Sequence, residues 1–472
     1  MTSPVIETSK KARKDTPPVG PEASEQELLA AAKRPGETSK RYHAFYHGKI
    51  EVVPRVPVRD FNDFALWYTP GVAEPCKVIK GSPGEVYRLT NKWNTVAIVT
   101  DGTRVLGLGD IGPEAGLPVM EGKSLLFKYL GGVDAFPLCL GTKDPEEIIQ
   151  AVKWLQPSFG GVNLEDIAQP KCFHILRRLR DECRIPVWHD DQQGTATVVT
   201  AGLMNAVQLV GKKMGEVRVA MIGAGASNIA SLRILRAAGV DPRNVVMTDT
   251  TGILHAGRRE LASGFPEKWE VCRATNPEGR TGGIPEAMAG ADVVIAASRP
   301  GPDVIRPEWI PRMADDAILF AIANPVPEIW PWKAKAAGAR IVATGRSDFP
   351  NQVNNSLGFP GIFRGVLDVM AVTISDSMCV AAAHELALVA RERGFAEDRI
   401  LPRMDEWEVY PREATAVAMR AASEGLARLQ KSRDEVYEDA SAIIRRARDQ
   451  TRLLMDRQFI RPPPDEGVLL EA

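Results

Sequence analysis

Two pairs of neighbouring acids carry the first chemical signal in this chain. Glu165 and Asp166 stand in NLEDIAQP, directly after a short apolar run, and Asp190 and Asp191 stand in WHDDQQGTA, directly after the next. If the two runs are parallel neighbours, their ends meet at one sheet edge, where α/β proteins bind ligands. Four carboxylates there repel and raise one another's pKa values. A divalent cation resolves the conflict, and an all-oxygen ligand set suits Mg²⁺ or Mn²⁺ rather than Zn²⁺. Either pair alone reads better as helix caps or solvated loop acids; the two together point to metal. The glycine-rich run TDGTRVLGLGDIGPEAGLPVMEGKSLLFK marks backbone packed closely around something, and its main cations are Arg104 and Lys123. Arg suits bidentate capture of a carboxylate. A Lys partly desolvated near a metal can have a lowered pKa and act as a base; the same Lys would serve equally as a helix-start cap or ion pair. Tyr68, in ALWYTPGVAEPC, sits in a Thr-Pro-Gly turn. That turn suits a fixed, partly exposed phenol, whereas the commoner fate of a lone Tyr is burial with a satisfied hydroxyl.

A second constellation belongs to a nucleotide. In MIGAGASNIASLRIL, Gly223 and Gly225 follow a strand pattern and open a helix, so the backbone can approach a pyrophosphate at the helix N-terminus. The third position of the fingerprint is Asn228 rather than Gly or Ala. Asp249 ends the next strand, where an acid accepts hydrogen bonds from a ribose 2′-hydroxyl and repels a 2′-phosphate. This favours NAD over NADP, with Arg258 and Arg259 downstream able to reverse the preference. Asn324 in FAIANPVPEIW, and Asn354 and Asn355 in GRSDFPNQVNNSLGFPGIFRG, are amides of the kind that orient a substrate or nicotinamide, and also ordinary turn residues.

These residues need elements to hold them. Strand-like runs at Val96–Thr100, Ala135–Leu140, Gly161–Leu164 and Ile185–His189 alternate with helical patterns at Lys123–Leu130, Glu146–Leu155 and Lys171–Arg180, which predicts a parallel sheet. Past Asp191 comes a helix, then a strand at Arg218–Ile222 and a helix at Ala226–Ala238. Strands at Asn244–Thr248, Asp292–Ala297, Ala317–Ile322 and Arg340–Thr344 complete a dinucleotide-binding pattern. Arg412–Gln458 is helical in composition, and the spacing of Met419, Ala422, Leu426 and Leu429 reads as a cover or subunit interface. The predicted class is α/β: two α/β domains, one of Rossmann type, with a helical C-terminal segment. Residues 1 to about 40, with one short helix around Glu25–Lys33, and the stretch from Arg461 read as solvated tails.

Composition excludes several classes. A chain of 472 residues has room for two or three domains, and 44% hydrophobic with 25% charged residues is ordinary for a globular protein. A formal net charge of -1 gives no general electrostatic reason to bind nucleic acid or an anionic membrane. No apolar run approaches the roughly 18 residues that cross a bilayer, and the N-terminus has no apolar targeting segment. Six cysteines without a CxxC pair fit free thiols in a reducing compartment. The expectation is a cytoplasmic protein.

The ordered segments GKIEVVPRVPV, YTPGVAEPC, TDGTRVLGLGDIGPEAGLPVMEGK, NLEDIAQPKCF, HDDQQGTA and GRSDFPNQVNNSLGFPGIFRG resemble the malic enzymes in their shorter bacterial form, from about Tyr42 to about Val417. The resemblance implies oxidative decarboxylation of L-malate to pyruvate and CO₂, with NAD or NADP and with Mg²⁺ or Mn²⁺. It implies Glu165, Asp166 and Asp191 as metal ligands, Lys123 as general base, Tyr68 as general acid and Asp190 as the acid behind the lysine. Arg104 matches a substrate-carboxylate contact, and Asn324 and Asn355 match amides that contact substrate and nicotinamide. Gly223, Gly225, Asn228, Asp249, Asn324 and Asn354 are the expected cofactor-binding set. The implied division is a tail at 1–40, a substrate and metal domain at 41–189, a Rossmann-type domain at 190–354, helices at 355–460 returning to the first domain, and a tail at 461–472. A homodimer or larger assembly goes with it. The alternative is a malolactic or tartrate-type decarboxylating enzyme on the same scaffold.

Overall fold

The computed structural model describes residues 25–464. Of these, 25–48 and 461–464 belong to one compact unit and 49–460 to another. The first unit contains helix α1, Glu25–Tyr46, which runs through Pro35 and extends well past the short helix expected near its start. Its end carries an aromatic group: the Phe45 and Tyr46 rings lie 4.9 Å apart, the Tyr46 hydroxyl donates to the Arg461 carbonyl at 2.8 Å, and the Arg461 guanidinium sits 4.7 Å from the Phe45 ring centre. Residues up to about 40 are therefore not all tail. The remainder of both predicted tails, 1–24 and 465–472, lies outside the described residues.

The larger unit carries helix α2, Ala73–Gly81, ahead of two sheets. Strands β1 (Thr95–Thr100), β2 (Asp134–Cys139), β3 (Gly161–Leu164) and β4 (Val187–His189) form a four-stranded sheet of order β2-β1-β3-β4, parallel throughout. β1, β3 and β4 are buried along their whole length, as expected for parallel strands covered on both faces, and this is why they read as continuous apolar runs. One face packs on α4 (Pro145–Leu155) and α5 (Lys171–Glu182) through Ile148, Val152, Ile175 and Leu179. Asp144 caps α4 by accepting from the Glu146 and Glu147 amides. The other face packs on α3 (Pro113–Gly131) and the distant helix α9 (Phe359–Asp368), and this cluster continues into α11 (Val409–Ser423) and α12 (Arg433–Asp456), which pack on those helices. Trp188, Phe127, Phe359 and Phe363 are fully buried there, each contributing roughly 1.5–3 kcal/mol of transfer free energy.

The second sheet has the order β10-β9-β8-β5-β6-β7, with β5 Val219–Ile222, β6 Val245–Asp249, β7 Gly252–Ile253, β8 Val293–Ala296, β9 Ile318–Ala321 and β10 Ile341–Thr344. All neighbours are parallel except β7, a short antiparallel edge strand that sequence reasoning missed. Helices α6 (Thr195–Leu209), α7 (Ala226–Ala237), α8 (Pro266–Ala274) and α10 (Asp376–Glu392) accompany it. The C-terminal region departs from the expected continuous periodicity. α11 stops at Ser423, and Gly425 turns the chain at φ +71°, so Leu426 and Leu429 lie in a connection rather than on a helical stripe.

Candidate active site

Parallel register brings the ends of β1, β3 and β4 to one edge, with Val99 opposite Leu164 and Leu164 opposite His189. Each strand then turns immediately into acid. Glu165 and Asp166 follow β3, and Asp190 and Asp191 follow β4. Glu165, Asp166 and Asp190 are buried, while the Asp191 side chain is one-third exposed. One carboxylate oxygen from each of Glu165, Asp166 and Asp191 lies within 4.8 Å of the others. Asp166 adopts φ +54°, unusual for a residue with a side chain. Its strained turn is tied down: its amide donates to Asp191 Oδ2 at 2.9 Å and its carbonyl accepts from the Arg104 amide at 2.9 Å.

Lys123, on α3, reaches into this edge. Its Nζ lies 2.5 Å from Asp190 Oδ2 and 3.1 Å from Glu165 Oε1, over the Phe359 ring at 4.3 Å. Asp190 is fixed from its other oxygen by Trp188 Nε1, which donates at 3.0 Å. The chain leaves β4 through a wide π-type turn, Asp190–Gly194, and Gly194 is required there. A Cβ on it would fall 1.9 Å from Asp190 Oδ1 and 3.1 Å from the Asn355 Cβ.

The carboxylates are strained in the direction the sequence suggests, whereas the lysine departs from its expected lowering because two acids face it. Burial first, then the charge of Asp191, pushes Asp166 up to about 8. Burial also pushes Glu165 well above the carboxylate range, outweighing Lys123, with Asp190 and Asp191 adding to it. Burial alone would lower Lys123, but Asp190 and Glu165 overcome it and hold the amine above its ordinary value. Asp166 Oδ2 is buried without a hydrogen-bond partner. An orphaned carboxylate oxygen inside a crowded acidic set fits a divalent cation held by Glu165, Asp166 and Asp191.

The other expected residues fall at several places. Arg104 is exposed beside the edge, and its charge acts on Asp166. Asn355 lies against the Asp190–Gly194 turn. Asn354 donates to the Gly345 carbonyl at 3.1 Å, and Asn324 packs on Gly345, where a Cβ would sit 2.6 Å from its Nδ2. Gly107, in the loop after β1, packs against Asn324 and Pro300 so tightly that a Cβ would meet them at 2.5 and 2.3 Å. That contact ties a loop of the first sheet to loops of the second. Tyr68 is not brought into the lysine–carboxylate cluster. It is 71% exposed, and its hydroxyl has no hydrogen bond among the described residues.

At the second sheet, Gly223 has φ +97°, and a Cβ would lie 2.7 Å from the Ala297 carbonyl. Only glycine fits this turn. Gly225 begins α7 with open space in front of it, as an approaching phosphate group needs. Asn228 points inward instead. It is fully buried, and its Nδ2 donates to the carbonyls of Ile222 at 3.0 Å and Gly223 at 2.8 Å. It braces the glycine turn from behind, which explains how a side chain replaces the third small residue. Asp249 ends β6 and is held by Arg258 and Lys268.

Several participants escaped sequence reasoning. Phe359, Trp188 and Asn163 (Nδ2 donating to Glu165 Oε2 at 2.8 Å) form the floor and props of the acidic site. Buried Glu328 accepts from the Ser298 amide at 2.8 Å and hydroxyl at 3.0 Å, and from the Ala323 amide at 3.1 Å. It clamps the loops after β8 and β9. Phe359 and Glu328 lie in motifs quoted for their asparagines, so the signal was an apolar or acidic residue beside each amide.

The family described as malic enzyme, N-terminal domain, matches residues 47–145 and 142–180, and that described as malic enzyme, NAD binding domain, matches 192–423. A bifunctional malic/malolactic enzyme of Bacillus subtilis (strain 168) is 49% identical over 402 residues, 85% of this chain and 97% of the relative. An NAD-dependent malic enzyme of Geobacillus stearothermophilus is 50% identical over 381 residues, 81% and 78% of the two chains. An NADP-dependent malic enzyme of Halomonas elongata is 42% identical over 416 residues, 85% and 96%. The crystal structure of Entamoeba histolytica malic enzyme superposes with a TM-score of 0.92 at 48% identity, covering 94% of this chain and 93% of that one. An acidic edge that fits a divalent cation, a buried lysine, a glycine turn ahead of α7 and these matches agree: the chain belongs to the malic enzyme family.

Proposed function

We propose that this chain catalyses the oxidative decarboxylation of L-malate to pyruvate and CO₂ with reduction of NAD or NADP, using Mg²⁺ or Mn²⁺. The observation that carries the reading is the convergence of Glu165, Asp166 and Asp191 within reach of one ion, beside the buried Lys123–Asp190 pair. When bound, the metal would supply a Lewis acid and the cofactor a hydride acceptor.

The chain's own residues do the rest. Lys123 Nζ takes the proton of the malate C2 hydroxyl as it yields one to Asp190 Oδ2, with which it is in hydrogen-bond contact. Trp188 holds the other oxygen of Asp190, so the pair moves protons without changing place. Arg104, at the rim, offers a cation to a substrate carboxylate, and Asn355 offers an amide over the turn. Loss of the C4 carboxylate as CO₂ leaves a carbanion-like C3, and Tyr68 delivers its hydroxyl proton there. Asn324 and Asn354 flank the nicotinamide end, and the Gly223–Gly225 turn receives the pyrophosphate.

A homodimer or larger assembly belongs to the same reading. Tyr68 stands on a segment whose Val52, Phe61, Phe64, Leu66 and Trp67 are all exposed. An apolar stripe of this kind marks an interface, and a second copy seated on it would fix the phenol. The six free cysteines fit a reducing compartment, and no described helix is long and apolar enough to cross a membrane.

The test is absorbance at 340 nm with L-malate and Mn²⁺, run with NAD and with NADP, followed by assay of pyruvate and lactate. Reduced cofactor matched by pyruvate is the expected result. Lactate without reduced cofactor would replace this reading with the malolactic one, the second activity in the name of the Bacillus subtilis relative.

A further inference from the structure

We infer that the adenosine end of the cofactor site is built for a 2′-phosphate, so that NADP is preferred, with Lys268 and Arg258 as its anion-binding groups and Asp249 as the residue that positions them. This rests on the dinucleotide reading above and refines it. An acid ending this strand normally selects NAD because its carboxylate accepts from the ribose hydroxyls and repels a phosphate. Asp249 is not available for that. Its Oδ1 already accepts from the Thr251 amide and hydroxyl, both at 2.9 Å, and from Arg258 Nη1 at 2.8 Å. Its Oδ2 takes Lys268 Nζ at 3.3 Å. The carboxylate is spent on its own turn and on two cations, and only 6% of the side chain is exposed.

The charges around it tip the balance. Asp249 and Glu260 pair with Arg258 and Lys268, and Arg259, next in the chain, is exposed; these five residues together carry an excess of one positive charge. A ribose diol could reach Asp249 only by displacing one of its cations. A 2′-phosphate instead recruits them. Lys268 reaches the carboxylate from α8, with its Nζ 4.8 Å from the Phe265 ring centre, and makes the longest of the four contacts, so it is the cation held least tightly by Asp249. Arg258, with Nη1 on Asp249 and Nε on Glu260, keeps Nη2 of its planar fork for the phosphate.

The test compares 2′,5′-ADP with 5′-ADP, titrated calorimetrically into the full chain without metal or malate. The expected result is that 2′,5′-ADP binds about tenfold or more tightly, that the difference shrinks as salt rises, and that Lys268→Ala brings the ratio toward one. Equal affinities, or tighter 5′-ADP, would overturn the inference. So would an undiminished ratio in both Lys268→Ala and Arg258→Ala. With malate and Mn²⁺, kcat/KM for NADP should exceed that for NAD by a similar factor. Turnover with NAD preferred would sink this inference and leave the malic enzyme reading intact, whereas no turnover with either cofactor would sink that reading while the nucleotide titration still decides this one.

Discussion

Among the described residues, Lys123 is the only cation in direct contact with the buried Glu165, Asp166 and Asp190, held by Asp190 and Glu165 over an aromatic ring. Truncating it removes the proton acceptor and leaves Asp190 and Glu165 buried without their cation. Lys123→Ala should therefore lower kcat by roughly 10²–10⁴, read as loss of malate-dependent absorbance at 340 nm. Tyr68→Phe should spare the reduction of oxaloacetate more than its decarboxylation, since the phenol enters only after CO₂ has left. Equal losses in both half-reactions would remove Tyr68 from the acid role. At the metal set, Glu165→Gln and Asp191→Asn each delete a formal charge from the ion's cradle. Both should weaken Mn²⁺ by at least about tenfold, measured directly by the paramagnetic resonance of free Mn²⁺ and so independent of turnover.

The elements place these groups, and two small features show how tightly. In the π-type turn after β4, Gly194→Ala puts a methyl against Asp190 Oδ1 and Asn355 at once. The expected cost is roughly 1–3 kcal/mol of overpacking and a drop in kcat of about 10²-fold from displacement of Asp190, visible as lost activity in a chain that still unfolds cooperatively. The loops after β8 and β9 depend on Glu328, whose burial pushes it up to about 7 against the pull of the Ser298 and Ala323 amides. Because the folded value lies above the unfolded one, this group's contribution to stability is fully present below about pH 4.3 and is lost as pH rises through about 7. The loss amounts to about 3–4 kcal/mol. Glu328→Gln should flatten that part of the stability–pH profile, as chemical denaturation at pH 5 and pH 8 would show. The strands were legible in the sequence because parallel strands buried on both faces are short apolar runs with acids or glycines at their ends. The acidic pairs were legible for the same reason. The π-type turn, the left-handed backbone of Asp166, the short β7 and the length of α1 were not, since each depends on partners far away in the chain or on a backbone state that no residue type announces. Asn228 looked like a flaw in a fingerprint, and only its bonds to the Ile222 and Gly223 carbonyls show it bracing the turn.

At the scale of the whole molecule, the exposed apolar segment ahead of the first sheet is the surface on which the proposed second copy would sit. Phe64→Asp together with Trp67→Asp should shift the chain toward monomer in sedimentation and lower kcat in parallel, while a monomeric wild-type chain of full activity would discard the assembly. The sheet that bears the acids has one more dependence. Val96 and Ile98 of β1 belong to one apolar cluster with Phe359, Val366, Val417 and Val436, although every acid of the metal set has been synthesised by residue 191. During translation at roughly 5–20 residues per second, that face waits on the order of tens of seconds for its cover. A nascent chain thus carries all its ligands long before it can hold them in place. A stop codon just past Asn355 would spare every metal ligand and every residue given a proton or substrate role, and should still abolish the reaction by removing the cover of the sheet.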